Sequence, residues 1–361
     1  MDFELTEQQI EIRDLARRVL ADRVTADRLK EVEAGREGFD RALWKELGDA
    51  GLLGAALPDD AGGGGFGFLE LCLVLEESAR AVAPVPAFPT LVLAALPIAE
   101  FGSDEQRARV LPGVAKGEAV LTAALGEGTV LRAQPHEERW RIRGTAEIVP
   151  YADSASVLVA PARTEEGATG VFLVDPTGLA MEQQEVTTGE PTFRVHVDSI
   201  VGELDVLAEP ARGDHVLAWT LQRALAALAV MQVGGADRAL ALTAEYTSGR
   251  DQFGRPLASF QAVQQRIADA YIDTLAMRWT AWRAAWRLAE GLHADEEVAV
   301  AKFWASEAGS RVVTAAQHLH GGTGVDVDYP LHRYTKQSKR IELQFGAATS
   351  QLARLGELIA R

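Results

Sequence analysis

The sequence is almost free of cysteine. Cys72 is the single cysteine among 361 residues, and it lies in the apolar run LELCLVL. One cysteine excludes an intrachain disulfide and a thiolate metal cluster, and it gives no sign of an oxidising compartment. Cys72 is therefore interpreted as a small buried hydrophobic residue.

Basic residues are also scarce. Thirty-six Lys and Arg stand against 52 Asp and Glu, which gives a formal charge of −16. Such a surface repels a phosphate backbone, which argues against nucleic acid as a partner.

Long uncharged apolar runs are lacking too, since even PTLVLAALPIAEF falls short of the roughly 18 residues of a membrane span. The amphipathic beginning of the chain is unlike a signal peptide, so we expect a cytoplasmic protein without a membrane partner.

Hydrophobic residues make up 47% of the chain, which is enough for a packed core, and the length favours two or three modules. Apolar residues recur at helical spacing over residues 1–120. Short β-rich runs such as RWRIRG and GVFLVD over residues 121–210 predict a small antiparallel barrel or sandwich. Four helical segments, around 215–247, 257–290, 295–320 and 331–361, predict a four-helix bundle over residues 211–361. The expected fold class is α+β with these three domains.

The motif GRDQFGRPLASFQ, residues 249–261, predicts a tight corner between two helices. The first helix carries Arg250 and ends at Gly254. Pro256 prevents its continuation, and the second helix begins at Gln261. A forked cation and an amide donor at one corner suit a pyrophosphate. From the residues alone, a salt-bridged helix corner is the other interpretation, and both stay open.

The motif HGGTGVDVDYPLHRY, residues 320–334, places glycines directly after a helix. Gly321 and Gly322 permit a positive φ and the close approach of a ligand such as a phosphate or an adenine. His318 and His320 are two residues apart, but no carboxylate or cysteine stands beside them at a ligand spacing. No metal site is predicted.

Taken in order, LPDDAGGGGFG, EQRARVLPGVAKGE, RDQFGRPLASFQ and HGGTGVDVDYPLHRY resemble the acyl-CoA dehydrogenase family over essentially the whole chain. The resemblance implies a helical N-terminal domain, a middle β-barrel and a C-terminal four-helix bundle, with FAD as cofactor and an acyl-CoA as substrate. It implies that a carboxylate removes the α-proton while the β-hydrogen passes as hydride to the flavin. The cofactor-binding residues that it implies are Arg250, Phe253, Gln261, His318, Gly321, Gly322, Thr349 and Gln351, with His318 where a Gln is commoner.

Both usual positions of the family's catalytic base are occupied by alanine. The segment FGAATSQLARL, residues 345–355, resembles the C-terminal region that carries a Glu, and Ala347 stands in its place. The alternative position, about 26 residues before Arg250, is Ala224. A methyl group cannot accept a proton. The flavin-side segments depart as well, because Leu125 and Val149 begin the stretches where a Thr and a Trp usually contact the flavin.

The residues on the side of the ADP half of FAD are largely kept: Arg250, Phe253, Gln261, Gly321 and Gly322. In this respect the chain is similar to the non-catalytic subunits of heteromeric bacterial enzymes, including ones that act on steroid side-chain thioesters. The resemblance implies a heterotetramer with a homologous subunit that carries the catalytic Glu, and an electron-transfer flavoprotein or similar acceptor. The stripe Trp279, Trp282 and Trp286 is interpreted as core or subunit contact. Three alternatives stay open: an active homomeric enzyme with its base displaced to Glu245 or Glu342, a flavin-dependent monooxygenase or oxidase, and a scaffold without flavin.

Overall fold

The computed structural model describes residues 4–35 and 37–360. The chain divides into two compact units. The first unit contains Met1–Glu31, Cys72–Ala83 and Leu225–Arg361, and the second contains Val32–Leu71 and Pro84–Ala224.

Local signals set the helix boundaries. Thr6 with Gln9, and Ser103 with Gln106, form capping boxes at the starts of two helices. The fourth predicted segment of the bundle, 331–361, is two helices separated at residues 344–347. The α-helices of the described residues are α1 (Glu7–Arg23), α2 (Ala26–Ala34), α3 (Arg41–Asp49), α4 (Phe68–Arg80), α5 (Leu96–Phe101), α6 (Asp104–Ala115), α7 (Gly213–Gly249), α8 (Gln261–Ala289), α9 (Asp295–His320), α10 (Leu331–Leu343) and α11 (Ala348–Ile359).

The β-rich middle of the chain forms the strands of the second unit. Their alternation buries one face, on which Ile142, Phe172 and Val195 belong to one hydrophobic cluster. The strands are β1 (Leu121–Ala123), β2 (Val130–His136), β3 (Arg139–Pro150), β4 (Val157–Arg163), β5 (Thr169–Val174), β6 (Ala180–Gln183), β7 (Thr192–Val201) and β8 (Val206–Ala208); β9 (Asp251–Gln252) and β10 (Arg255–Pro256) form a separate hairpin in the first unit.

The predicted antiparallel barrel is wrong, because the second unit contains an open mixed sheet. Its order is β6-β7-β3-β2-β4-β5-β8, and β1 pairs with β4 beside this path. A barrel closes only when its edge strands pair with each other. Here β6 and β8 stay at opposite ends of the order. The sheet is mixed because β1 runs parallel to β4, and β2 meets β4 in parallel through the pair Arg132 and Arg163.

A buried polar network joins α1, α4 and α8 within the first unit. Glu77 is 2% exposed and forms an ion pair with Arg17 at 2.8 Å. Glu76 accepts from Nη1 of Arg278 at 2.9 Å and from Nε1 of Trp282 at 2.9 Å. Buried carboxylates are tolerated when charged partners and hydrogen bonds surround them, as they do here.

The tryptophan stripe on α8 is less uniformly apolar than its spacing suggests. Trp279 is 49% exposed, whereas Trp282 and Trp286 are half-buried. The indole N–H of Trp282 also donates a hydrogen bond to the carboxylate of Glu76. Cys72 is fully buried, which agrees with its interpretation as a small hydrophobic residue.

Among the described helices, α7 is the one that is long and apolar enough to cross a membrane by length and composition alone. The sequence-based expectation that no stretch reaches this threshold is therefore too strict. Two-thirds of the most apolar window, 67%, is buried inside the protein, as in the core helix of a globular protein. Its apolar character is accounted for by packing.

Candidate functional site

The corner between α7 and α8 contains three of the predicted cofactor residues. α7 ends at Gly249, so the prediction that this helix carries Arg250 and ends at Gly254 is wrong, because a short hairpin follows the helix at once. The backbone N–H of Leu257 donates to the carbonyl of Arg250 at 2.9 Å. This bond ties the far side of the β9–β10 hairpin back to the helix end. α8 then begins at Gln261, so the corner carries a helix N-terminus with its unpaired backbone donors.

Two side chains at this corner are exposed, although the ring of Phe253 also packs edge-on against Phe260 with centroids 6.1 Å apart. Phe253 is 91% exposed at the hairpin tip and has a φ of 54°, an uncommon conformation for a residue with a side chain. Arg250 is exposed and forms no ion pair with the described carboxylates. Nearby Arg255, by contrast, stacks over the ring of Phe260 at 4.0 Å. Arg250 and Phe253 are therefore available to contact a ligand or another subunit.

The glycine loop after α9 exposes bare backbone. Gly321 has a φ of 58° and a ψ of −135°, which a residue with a Cβ rarely adopts. A Cβ at Gly321 or Gly322 would meet nothing within 4 Å, so the space beside both is open. Gly324 differs, because a Cβ there would lie 2.3 Å from the side-chain nitrogen of Gln317. The open backbone at 321 and 322 suits the close approach of a flat or anionic group.

Tyr246 on α7 connects the corner to the glycine loop, a role that sequence spacing gave no reason to expect. Its carbonyl accepts from the backbone N–H of Arg250 at 2.9 Å. Its ring stacks on His320 at 4.4 Å between centroids, and its hydroxyl lies 3.3 Å from Oγ1 of Thr323. The structure thus brings Arg250 and the glycine loop to one place in the first unit.

His318 and His320 have different surroundings. His318 is exposed, whereas His320 is 3% exposed. Nδ1 of His320 lies 2.8 Å from the carbonyl of Ala316, which only accepts, so we assign the ring proton to Nδ1. The hydroxyl of Tyr329 then donates to Nε2 at 3.0 Å, and burial lowers the pKa of His320. No group of three or more potential His, Cys, Asp or Glu ligands occurs within the described ranges.

The turn between α10 and α11 contains Ala347, the position at which the family resemblance implies a base. Phe345 and Gly346 have φ values of 56° and 95°, which reverse the chain before Ala347. Gln351 is 4% exposed and donates to the carbonyls of Phe345 at 3.1 Å and Gly346 at 3.3 Å. Its Oε1 is buried without a hydrogen-bond partner. Ala347 is half-buried, and Thr349 is exposed in the first turn of α11.

Lys302 on α9 holds the same turn, and sequence reasoning missed it. Its side chain is fully buried, and Nζ donates to the carbonyls of Glu342 and Gly346, both at 3.0 Å, and to Oγ of Ser306 at 2.9 Å. Burial lowers the pKa of Lys302 to about 8, while the charge of Glu342 opposes this change. The sequence feature that could have indicated this role is a single lysine inside the apolar segment VAVAKFWAS, because lysine is rarely fully buried without a partner.

The two carboxylates considered as displaced bases have different surroundings. The carboxylate of Glu342 is paired with Lys339, and only its backbone carbonyl receives Lys302. Glu245 is exposed and has no hydrogen bond or ion pair within the described part of the chain. A general base acts through a defined position relative to the proton that it removes.

The flavin-side segments and Ala224 lie in the second unit. Val149 is fully buried in the cluster on the covered face of the sheet. Tyr151 is 4% exposed and packs edge-on against Phe39 with ring centroids 5.7 Å apart. Leu125 is half-buried, and Ala224 is fully buried. The side chains of Val149 and Tyr151 are thus occupied by packing within this unit.

Comparison with known proteins gives consistent matches. Residues 6–118 match the acyl-CoA dehydrogenase N-terminal domain, and residues 211–359 match the acyl-CoA dehydrogenase C-terminal domain. The chain is 39% identical to the acyl-CoA dehydrogenase FadE27 of Mycobacterium tuberculosis, over 100% of this chain and 99% of the relative.

Two solved structures are similar over nearly the whole chain. One is the ChsE4-ChsE5 complex from Mycobacterium tuberculosis, with a TM-score of 0.94 and 37% identity over 100% of this chain and 99% of that one. The other is described as the Tcur3481-Tcur3483 steroid ACAD G363A variant, with a TM-score of 0.90 and 45% identity over 98% of each chain.

Proposed function

Because this chain belongs to the acyl-CoA dehydrogenase family, we propose that it is the subunit of a heteromeric acyl-CoA dehydrogenase that helps to hold FAD and lacks the catalytic base. In this proposal a homologous partner subunit supplies the glutamate that removes the α-proton of the acyl-CoA. The observation that carries the proposal is Ala347, a methyl group in a turn that Lys302 and Gln351 hold through hydrogen bonds to its backbone carbonyls.

FAD is the cofactor, and the first unit offers groups that fit its ADP half. Arg250 is an exposed cation whose side chain has no ion pair or hydrogen bond among the residues that the structure describes, which suits a pyrophosphate. Gly321 and Gly322 leave open space beside the backbone, and the buried Oε1 of Gln351 lacks a donor. When bound, FAD accepts the hydride from the β-carbon of the acyl-CoA. The residues proposed to hold it are Arg250, Phe253, Gln261, His318, Gly321, Gly322, Thr349 and Gln351.

Proton removal is the step that this chain does not perform. At Ala347 and Ala224 there is no group that accepts a proton, and Glu342 is already paired with Lys339. A positioned general base contributes about 10²–10⁴-fold to a rate. In the proposed assembly this chain orients FAD, and the α-proton goes to the partner's carboxylate.

The flavin half of the cofactor is proposed to rest on the partner rather than on this chain. Val149 and Tyr151, which stand where the family usually has flavin contacts, are packed into the second unit. The proposed ADP-side residues Arg250, Phe253, Gln261, His318, Gly321 and Gly322, by contrast, are exposed. A chain that keeps one half of a cofactor site is expected to need a second chain to complete it.

The relatives support a proposal for the substrate class and the further partners. The similar structures described as a ChsE4-ChsE5 complex and as a steroid ACAD support a heteromeric enzyme that acts on a steroid-type acyl-CoA. A neighbour described as an electron transferring flavoprotein, 26% identical, supports an acceptor of that kind. A heterotetramer, a cytoplasmic location and the three-domain division at residues 120 and 210 stay predictions.

The cofactor half of the proposal is tested in the complex of this chain with its Glu-bearing partner. Arg250→Gln is expected to lower FAD content after dialysis by about tenfold or more, since it removes a charge-assisted hydrogen bond to a phosphate. Arg255→Gln is the matched control, because that guanidinium stacks on Phe260 within the chain. It should leave FAD content within about twofold of the unmodified complex.

Two results would contradict this placement. One is FAD content unchanged by Arg250→Gln, and the other is an equal loss with both arginine variants. Gel filtration of each variant with the partner shows whether assembly itself is intact.

A further inference from the structure

Three arginines form one row across the exposed face of the sheet in the second unit. Arg132 on β2 lies opposite Arg143 on β3 in the antiparallel register, and it pairs with Arg163 on β4 in the parallel register. Directly paired residues of neighbouring strands share a face. All three arginines are exposed, whereas their strand neighbours Leu131 and Ala162 are buried on the other face.

This row is only partly neutralised. Asp198 on β7 lies opposite Arg143 and accepts from both Arg143 and Arg141, at 3.0 and 2.9 Å. Arg132 and Arg163 have no hydrogen bond or ion pair through their side chains within residues 37–360. Like charges placed directly opposite each other destabilise a sheet. Three arginines side by side therefore lower the stability of the sheet. In a chain with a net charge of −16, we attribute this concentration of positive charge to a binding role.

The surroundings of the row are those of a protein interface rather than of a small-molecule pocket. Val130, two residues before Arg132 on the same face, is 59% exposed. Ile200, two residues after Asp198 on β7, is 46% exposed. Arginine is enriched at protein interfaces, and the exposed Val130 and Ile200 add apolar surface beside it. Small ligands instead favour concave sites.

We propose that the row of Arg132, Arg143 and Arg163 is a docking surface for an acidic segment of a partner protein. Adjacent strands lie about 4.8 Å apart, so the row extends over about 10 Å, which matches two or three neighbouring carboxylates. Guanidinium groups bind carboxylates in a bidentate manner, and this accounts for arginine at all three positions. Val130 and Ile200 provide apolar contact beside the ion pairs. This inference is independent of the FAD site.

Fluorescence anisotropy with a labelled peptide of alternating Glu and Val tests whether this surface binds an acidic segment. The full chain is expected to bind it, to bind the Gln-for-Glu peptide at least tenfold more weakly, and to lose affinity as salt rises. Arg132→Gln and Arg163→Gln should each weaken binding of the Glu peptide by about tenfold. Arg212→Gln makes the same charge change at an exposed arginine outside the sheet, and it should change the affinity less than twofold.

The melting temperature of the free protein provides a second readout. Arg132→Gln relieves the like-charge pairing, so it should raise the melting temperature by about 1–3 °C while it weakens peptide binding. A fall in the melting temperature of Arg132→Gln would contradict the argument that the paired arginines destabilise the sheet. Failure of the Glu peptide to bind, or equal effects of Arg132→Gln and Arg212→Gln, would overturn the proposal. Tighter, Arg132-dependent binding of tripolyphosphate would also overturn it, since the site would then serve a small polyanion.

Discussion

Replacement of Lys302 by methionine tests how the chain tolerates a buried charge beside the turn at Ala347. Methionine has a similar length but carries no charge, so the variant removes the ammonium group and preserves most of the packing. The ammonium is fully buried and donates to two carbonyls and one hydroxyl. Its loss leaves the carbonyls of Glu342 and Gly346 without these donors at every pH, which costs about 1–3 kcal/mol for each unsatisfied group.

The informative quantity is the pH dependence. Burial lowers the pKa of Lys302 from 10.5 to about 8, and at about 1.4 kcal/mol per pKa unit this makes the buried charge cost about 3 kcal/mol. Between pH 8 and 10.5 the unfolded chain binds this proton and the folded chain has released it. Stability from this group therefore rises with pH across that window, and the full cost applies below pH 8.

Urea unfolding at pH 7 and pH 10 measures this effect. The free energy of unfolding of the unmodified chain should increase relative to Lys302→Met by about 2–3 kcal/mol between the two pH values. Lys336→Met, at an exposed lysine of α10, is the control, and its difference from the unmodified chain should not change with pH. A stability difference between Lys302→Met and the unmodified chain that is equal at pH 7 and pH 10 would refute the reasoning.

Two further substitutions test the contacts that organise the first unit. Glu76→Gln should lower the free energy of unfolding by about 1.5–3 kcal/mol, because Arg278 loses its buried ionic partner and, among the described residues, keeps only Asp237 at 3.6 Å. No measurable loss in urea titration would show that the network is not a stabilising element. Tyr246→Phe removes the hydroxyl contact with Thr323, so it should lower the free energy of unfolding by about 0.5–1.5 kcal/mol. It should also reduce FAD retention in the assembled complex. Unchanged retention would mean that the link to the glycine loop does not affect the cofactor.

Local features of this fold could be predicted from the sequence because they depend on neighbouring residues. The corner itself and the start of α8 at Gln261 follow from the Gly and Pro between the two helices, whereas α7 ends at Gly249, five residues before the predicted end at Gly254. Similarly, the left-handed backbone at Gly321 follows from the glycine after a helix. The break before α11 was missed, although Gly346 was visible, because Phe345 also adopts a positive φ, which its residue type does not indicate.

Features that depend on distant residues could not be predicted in the same way. The β-rich runs indicate strands, but nothing in them shows that β1 and β2 pair with β4 in parallel or that the edge strands β6 and β8 do not pair with each other. The predicted antiparallel barrel failed for these two reasons. Lys302 and the carbonyl of Gly346 are separated by 44 positions in sequence, and Tyr246 and Thr323 by 77. The candidate FAD residues came from resemblance to a family, whereas the two residues that support them, Tyr246 and Lys302, came from the structure.

Whether this chain has a catalytic base of its own is tested most directly by anaerobic bleaching of FAD with an acyl-CoA substrate. The measurement uses the assembled complex in which the partner's catalytic glutamate is replaced by glutamine and this chain is unmodified. Since Ala347 and Ala224 cannot accept a proton, we expect no bleaching of any fraction of the bound flavin within the time in which the unmodified complex bleaches fully. Bleaching of part of the flavin at an undiminished rate would contradict the account and direct attention to Glu245 and Glu342 as bases.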